Sequence, residues 1–369
     1  MSGRIESLQR AVRDSEADVF ALIPGPSLTW LTRHAFDAHE RVFMLLVPSQ
    51  GEPRVILPAL ESDNWAASVP SVDRLFPWED KDGPGEAVTA ACDGLGPVST
   101  IAVEPLGMRY QEYAMLAERF PEAEFVSGEG LIAPLRGRKD AEEAADIRRA
   151  AEIAQEALEE TVQLVRPGMS ERAIAAQLTS CMLAKGGEGI SFGPIVLGGP
   201  KSALPHGVPG DREVQSGEFL LIDFGTSFNG YHCDITRTFV VGGPADERMR
   251  AVYEAVREGN AAGCAASRPG ATAHEVHMAA AAPLEKPEFE EFYRHRTGHG
   301  MGIDIHEPPS IMEGNHEALQ AGAVYTVEPG LYLEGWGGVR IEDDLWLTDD
   351  GAEILTTYPR ELRVIGTGD

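Results

Sequence analysis

The clearest periodic signal along the chain begins at residue 140. Ile147, Ala150, Ala154, Leu158, Val162 and Val165 fall three or four apart, so they share one face of a long helix. Asp140 and Glu143 have the spacing of a capping box at its start, and Pro167-Gly168 stops it. Ser170 then caps a second helix through Ile174, Leu178 and Met182, ended by Gly186-Gly187. The arrangement recurs. An acidic-start helix from about Ala245 runs to Arg268-Pro269-Gly270, and Thr272 caps the next before Val276. Arg166-Pro167-Gly168 and Arg268-Pro269-Gly270 therefore suggest one domain built from two related halves. Upstream, the pattern is α/β. Ile5, Leu8 and Val12 mark an amphipathic start before a strand-like run at 19–23. Apolar runs at 41–48 and 54–58 flank a polar Gly/Pro turn, which predicts a hairpin. Short strands at 101–103 and 124–126 bracket a helical stretch at 111–119. The predicted domains are 1–133 and 134–369, with the boundary near Pro134 to Lys139.

Composition narrows the classes of partner. With 43% hydrophobic and 24% charged residues the chain can bury a core. Acidic residues outnumber basic ones 59 to 31, for a net charge of −28. Such a surface has no basic face for nucleic-acid phosphates, and an anionic membrane repels it. The basic side holds 26 Arg and 5 Lys. GC-rich codon usage trades Lys for Arg but does not explain the acid. A carboxylate surface kept hydrated in high salt does, so a saline environment is expected. Cys92, Cys181, Cys233 and Cys264 form no CxxC pair and read as free buried thiols in a reducing compartment. No apolar stretch approaches the ~20 residues that span a membrane. Residues 1–18 lack the apolar core of a secretory signal, so the expected location is the cytoplasm.

The candidate chemistry lies in five segments. Phe219-Leu-Leu-Ile-Asp-Phe-Gly225 places Asp223 in an apolar strand. A turn at Asn229-Gly230 leads to Tyr231-His-Cys-Asp-Ile-Thr-Arg-Thr-Phe239, which carries Asp234. A hairpin of this kind brings two carboxylates together, and a divalent cation removes the cost of their repulsion. His299 lies in Thr297-Gly-His-Gly-Met-Gly302, and Glu328 in Tyr325-Thr-Val-Glu-Pro-Gly330. Glu342 lies in Gly338-Val-Arg-Ile-Glu-Asp-Asp344. Four carboxylates can bridge two cations, and one imidazole favours Mn²⁺, Fe²⁺, Co²⁺ or Zn²⁺ over Mg²⁺. His232 shares a strand face with Asp234 and reads as a packing or surface residue. His274 and His277, three apart on a predicted helix, read as a solvated face.

In this order the five segments resemble the pita-bread metallopeptidases, in particular the aminopeptidase P and prolidase branch, from about residue 135 to the end. The resemblance implies an α/β (α+β) chain. Its C-terminal pita-bread, creatinase/aminopeptidase-like domain has pseudo-two-fold halves, and a smaller creatinase-N-like α/β domain precedes it. By the same resemblance Asp223 is a terminal ligand to one metal, Asp234 and Glu342 bridge, and His299 and Glu328 complete the second. His206 stands in Ser202-Ala-Leu-Pro-His-Gly207, a motif of the proline-specific members. His206, His306 in Ile305-His-Glu-Pro-Pro309, and Glu328 are the implied catalytic residues. His295, four residues before His299, is a type that methionine aminopeptidases generally lack, and is an implied substrate contact. Arg340 resembles the family arginine that holds ligands or a nearby acid, and is grouped on the substrate side. The run Trp30-Leu-Thr-Arg-His-Ala-Phe-Asp-Ala-His-Glu-Arg41 resembles a D-x-H-E-R loop of certain bacterial prolidases, which reaches over an active site in the dimer. Asp37, His39 and Arg41 are therefore candidate gating residues.

One departure stands out. Some prolidases carry an arginine shortly after the position of His306 to clamp the dipeptide carboxylate, whereas this chain has Glu307-Pro308-Pro309-Ser310. The implied activity is hydrolysis of the Xaa-Pro bond of dipeptides or short peptides. Aminopeptidase P action on longer peptides is the alternative, and a metal-dependent lyase of the same fold a lesser one. The intact ligand set argues against the metal-free creatinase type and against ligand-free binding modules of this fold. The implied cofactor is a pair of divalent ions, Mn²⁺ first, with Co²⁺, Zn²⁺ or Fe²⁺ as alternatives. The implied partners are a proline-containing di- or oligopeptide and a second copy of the chain, with no nucleic acid and no membrane.

Overall fold

The computed structural model describes residues 2–367, in two compact units, Met1–Arg136 and Gly137–Asp369. The division falls after the helix Glu129–Arg136, which carries Pro134 inside it.

The first unit is built on a mixed six-stranded sheet. Its strand order is Leu75–Trp78, Arg54–Pro58, Met44–Pro48, Val19–Leu22, Thr100–Val103 and Glu124–Ser127. Met44–Pro48 runs antiparallel to both neighbours and forms the expected hairpin with Arg54–Pro58, Met44 opposite Ile56. Val19, Ala21, Met44, Leu46, Ile56 and Ile101 make the core against Val88 and Ala91 of the helix Gly85–Cys92. The edge strand Leu75–Trp78 escaped the sequence reading, because it is short and interrupted by Pro77.

The second unit repeats itself. Asp140 caps the helix Ala141–Leu164: its Oδ1 accepts the Glu143 N–H at 2.9 Å, and Glu143 Oε2 accepts the Asp140 N–H at 2.8 Å. Ser170 caps Glu171–Ala184, Asp246 caps Glu247–Ala266 and Thr272 caps Ala273–Ala281. Gly168 (φ 91°) and Gly270 (φ 84°) occupy the left-handed region that their turns require. The Gly168 N–H donates to the Val214 carbonyl at 2.8 Å, and that of Gly270 to Leu319 at 2.8 Å. Ser170 bridges Glu213 as Thr272 bridges Ala318. The two Arg-Pro-Gly turns are thus the same joint used twice.

Each helix pair accompanies its own sheet. The first sheet has the order Val364–Ile365, Ile235–Val241, Phe219–Phe224, Ile195–Gly198. The second has the order Glu307–Ile311, Gly298–Gly300, Val324–Val327, Asp343–Thr348, Gly351–Ile354. A ribbon, Gly330–Leu333 paired with Gly337–Arg340, runs beside them. Phe219–Phe224 and Ile235–Val241 are buried at every residue, so both faces are covered, as their continuous apolar runs require.

A tight turn sets the first half of the site. Asn229 (φ 49°) and Gly230 (φ 77°) are both left-handed, the form a two-residue hairpin turn demands. Phe224 lies opposite Ile235, so Gly225 and Asp234 follow as close neighbours. A Cβ on Gly225 would lie 1.9 Å from the Cys233 carbonyl oxygen and 2.7 Å from Ser191 Oγ. The backbones approach this closely only because that position has no side chain. Gly225→Ala should therefore destabilise the protein by about 1–3 kcal/mol or more and lower its thermal midpoint. A melt matching the wild type would contradict this packing.

Candidate active site

Five sequence-selected side chains reach one buried place by different routes. Asp223 sits near the end of Phe219–Phe224, opposite Thr236. Asp234 immediately precedes Ile235–Val241. His299 is the middle residue of Gly298–Gly300, and Glu328 follows Val324–Val327. Glu342 lies in the two-residue link between Gly337–Arg340 and Asp343–Thr348. A Cβ on Gly298 would stand 2.0 Å from the Thr326 carbonyl oxygen, so that glycine lets the His299 strand close onto its neighbour.

Asp234, His299 and Glu342 each present one ligand atom, all within 4.8 Å of one another. His299 Nε2 lies 3.5 Å from Glu328 Oε1 and 3.8 Å from Asp234 Oδ2. Its Nδ1 lies 3.1 Å from the Gly300 carbonyl, which can only accept, so the ring proton sits on Nδ1 and Nε2 turns a bare lone pair to the carboxylates. Asp223 is tied in through Arg340, whose Nη2 donates to Oδ2. Asp223 Oδ1 and Asp234 Oδ1 are buried without a hydrogen-bond partner. Buried carboxylate oxygens with no donor, in a cluster that also holds a bare imidazole nitrogen, fit a divalent cation of the borderline class.

The electrostatics agree. Burial, then the neighbouring Glu342 and Asp223, push the Asp234 carboxyl well above its usual range. Burial, then Glu328 and Asp223, do the same to Glu342. Burial raises Glu328 to about 7 against the opposing pull of Arg340. Burial and His306 lower His299 to about 3, which keeps it neutral, the form that binds metal.

Around this cluster the remaining expected residues differ in kind. His306 is edge-on to His299, with ring centroids 4.1 Å apart. Burial, and then the Arg296 charge, lower its pKa. His206 is solvent-facing, close enough to His295 and His306 that a positive charge on it would lower both. His295 is held at both nitrogens. Nδ1 faces the Arg296 carbonyl, and Nε2 lies 2.9 Å from the Tyr332 hydroxyl. Burial and Arg340 lower His295 to about 4. Both ring nitrogens of His295 are thus engaged within the protein. Arg340, grouped above on the substrate side, is 2% exposed and turned inward. Its Nη2 donates to Asp223, its Nη1 to the Tyr332 hydroxyl at 2.8 Å and its Nε to Thr236 Oγ1 at 3.1 Å. All three of its nitrogens are engaged within the protein, one of them on a carboxylate of the cluster.

Asp37, His39 and Arg41 lie in the first unit. Asp37 and His39 are exposed, His39 has φ 45°, and Arg41 pairs with both oxygens of Asp80 at 2.9 Å. Arg109 donates to the carbonyls of His39 and Arg41, fixing that loop from below. Beyond His306, Glu307 pairs with Lys139. His232 is half-buried with Nδ1 3.2 Å from Ser191 Oγ. His277 is less solvated than its helix suggested, with Nδ1 2.8 Å from Thr297 Oγ1.

The sequence reading missed several supports. Thr236 Oγ1 donates to Glu342 Oε2 at 2.6 Å. Asp344 Oδ2 accepts the Asp234 N–H at 2.9 Å, and Arg237 donates to the Glu342 carbonyl at 2.6 Å and to Asp343 at 2.8 Å. Thr236 stands two residues after Asp234, so strand alternation signals it; Asp344 and Arg237 carry no local signal.

Comparison with known proteins bears on this geometry. Metallopeptidase family M24 matches residues 145–349, and the creatinase/prolidase N-terminal domain matches residues 4–137. The chain belongs to metallopeptidase family M24, whose pita-bread domain forms the second unit. It is 34% identical to the Xaa-Pro dipeptidase of Lactobacillus helveticus, over 99% of this chain and 100% of that one. The prolidase from Thermococcus sibiricus superposes with a TM-score of 0.92 at 31% identity, over 99% of each chain. The X-Pro aminopeptidase from Thermotoga maritima superposes at 0.84 with 30% identity, over 96% of this chain and 100% of that one. The chain is a divalent-metal-dependent peptidase of that family.

Glu328 ties stability to pH in the cation-free protein. Its usual value of 4.5 rises to about 7 on folding. Its stabilising contribution is complete below 4.5 and lost as pH climbs through about 7. With chelator present, the thermal midpoint should fall between about pH 5 and about pH 8, and added Mn²⁺ should flatten that dependence. Thermal melts with and without chelator check this; a chelated midpoint that rises across the window contradicts it.

Proposed function

We propose that this chain hydrolyses the Xaa-Pro bond of dipeptides with two divalent cations, Mn²⁺ first, held by Asp223, Asp234, His299, Glu328 and Glu342. The observation that carries the reading is the buried convergence of Asp234 and Glu342 on the bare Nε2 of His299, with one oxygen each of Asp223 and Asp234 left without a donor. The named relatives and neighbours, a dipeptidase and a prolidase over nearly their whole length, support the substrate class.

When bound, such cations lower the pKa of a water and polarise a carbonyl. The chain's own groups supply the rest. Glu328 takes a proton from the attacking water at its carboxylate and passes it to the prolyl nitrogen as that nitrogen leaves. This nitrogen carries no N–H in the substrate, so no acceptor can grip it beforehand. Neutral His306 donates its ring N–H to the developing oxyanion. His295, with both nitrogens engaged, presents its ring to the proline ring. His206 meets the substrate from its solvent-facing turn. Arg340 and Thr236 keep Asp223 and Glu342 in place.

One observation favours a second reading, an aminopeptidase on longer peptides. The position after His306 holds Glu307, taken up by Lys139, in place of a cation for a free carboxylate. Four free buried thiols suit a reducing cytoplasm. The loop of Asp37, His39 and Arg41 is read as a substrate gate in a homodimer. The net charge of −28 suits activity that rises with salt.

After chelation, Mn²⁺, Co²⁺ or Zn²⁺ should restore cleavage of Xaa-Pro, with Xaa-Pro-Yaa slower and Xaa-Ala uncut. Asp234→Asn should remove several kcal/mol of transition-state stabilisation, roughly a thousandfold in kcat/KM. No cleavage of either proline peptide with any of these metals ends the reading. Faster cleavage of Xaa-Pro-Yaa selects the aminopeptidase.

A further inference from the structure

His206 sits on a surface loop with little packing around its tip. Leu204 is 51% exposed and Val208 79% exposed, and His206 is exposed between them. The turn itself is closed by the Gly207 N–H on the Leu204 carbonyl at 3.1 Å, and the base of the loop sets where that turn stands. That base converges on one side chain. Glu171, the first residue of the helix Glu171–Ala184, is 0% exposed. Its Oε1 accepts the Gly198 N–H at 3.0 Å, and its Oε2 accepts the Gly210 N–H at 3.0 Å. Gly198 and Gly210 are the two ends of the loop. Oε2 also accepts from Lys201 Nζ, and the same ammonium donates to the Val208 carbonyl at 3.1 Å.

A second contact fixes the near arm of the loop against the site. Ser202 Oγ donates to the Gly199 carbonyl at 2.6 Å and accepts the Gly338 N–H at 2.8 Å. Gly338 belongs to Gly337–Arg340, the strand that delivers Arg340 to Asp223. A Cβ on Gly338 would lie 2.4 Å from the Ser202 carbonyl oxygen, so the loop and that strand touch backbone to backbone.

We propose that Glu171, together with Lys201, is the positioning residue for His206: one buried carboxylate closes the loop at both ends and sets where the imidazole stands. The proposal rests on the reading of His206 as a substrate-facing residue. The chemistry is specific to a carboxylate. Glutamine has one acceptor oxygen, so Glu171→Gln would turn an NH₂ toward one of the two backbone N–H groups and strip Lys201 of its counter-charge. The helix and its Ser170 cap would remain, because Ser170 Oγ accepts the Ala173 N–H independently of Glu171.

The test is a double-mutant cycle on the Mn²⁺-loaded enzyme with an Xaa-Pro dipeptide. His206→Ala should lower kcat/KM about 100-fold, and Glu171→Gln roughly tenfold. In the His206→Ala background, Glu171→Gln should cost less than about twofold more, because its effect passes through the lost imidazole. Amide hydrogen exchange should speed up at least about tenfold at Gly198 and Gly210 in Glu171→Gln. The same tenfold loss in both backgrounds, or unchanged loop exchange, overturns the proposal. Full activity of His206→Ala refutes the reading of His206 instead, and loop exchange then decides Glu171 alone. Lys201→Met, run through the same cycle, stands in if Glu171→Gln does not fold.

Discussion

Like charge crowded out of water is the constraint on which the rest of this protein depends. Asp223, Asp234 and Glu342 are each less than a tenth exposed, and Asp344 is fully buried behind them. Arg340 is the cation that reaches this group directly, and it serves Asp223. Burial and mutual repulsion accordingly drive Asp234 and Glu342 toward the neutral form. Divalent cations reverse that preference, so the fold and the cofactor answer the same electrostatic problem.

The scaffold supplies rigidity by matching parts. Two capped helix pairs meet their sheets through equivalent Arg-Pro-Gly joints, and each half contributes side chains to the buried cluster. Supports then cross from half to half. Arg237, on the first half's strand, donates to the Glu342 carbonyl and to Asp343 in the second. Thr236 accepts from Arg340 and donates to Glu342, linking an arginine and an acid through one hydroxyl. Truncating any of these leaves a buried polar group without a partner, which is why such networks resist change.

Much of this was readable along the chain. The long helices, their caps and the core strands follow from period and capping residues, which are local properties. Asp223, Asp234, His299, Glu328 and Glu342 stood out because charge inside apolar or glycine-rich runs is anomalous. Other features were not readable. The strand Leu75–Trp78 is only four residues long and carries Pro77, so neither alternation nor length marks it as a strand. Arg340 and His295 were visible as residue types, but their partners, and so their orientation, were not. Glu171, an acidic residue in a first helical turn, carries no local signal. Its bonds to Gly198 and Gly210 span 27 and 39 residues.

The two-domain α/β plan, the repeated helix–turn–helix joint and the candidacy of five side chains for a metal site were legible in the order of residues alone. Those follow from spacing and from the cost of placing charge among apolar residues, both of which act over a few positions. Tertiary structure alone decided which nitrogen of His299 faces the carboxylates, that His295 has both nitrogens occupied and that Arg340 points inward. It also decided that a single buried glutamate closes the loop of His206. Each of these is a hydrogen-bond choice between groups distant in sequence. The backbone fixes that choice only when packing has brought donor and acceptor to about 3 Å of each other.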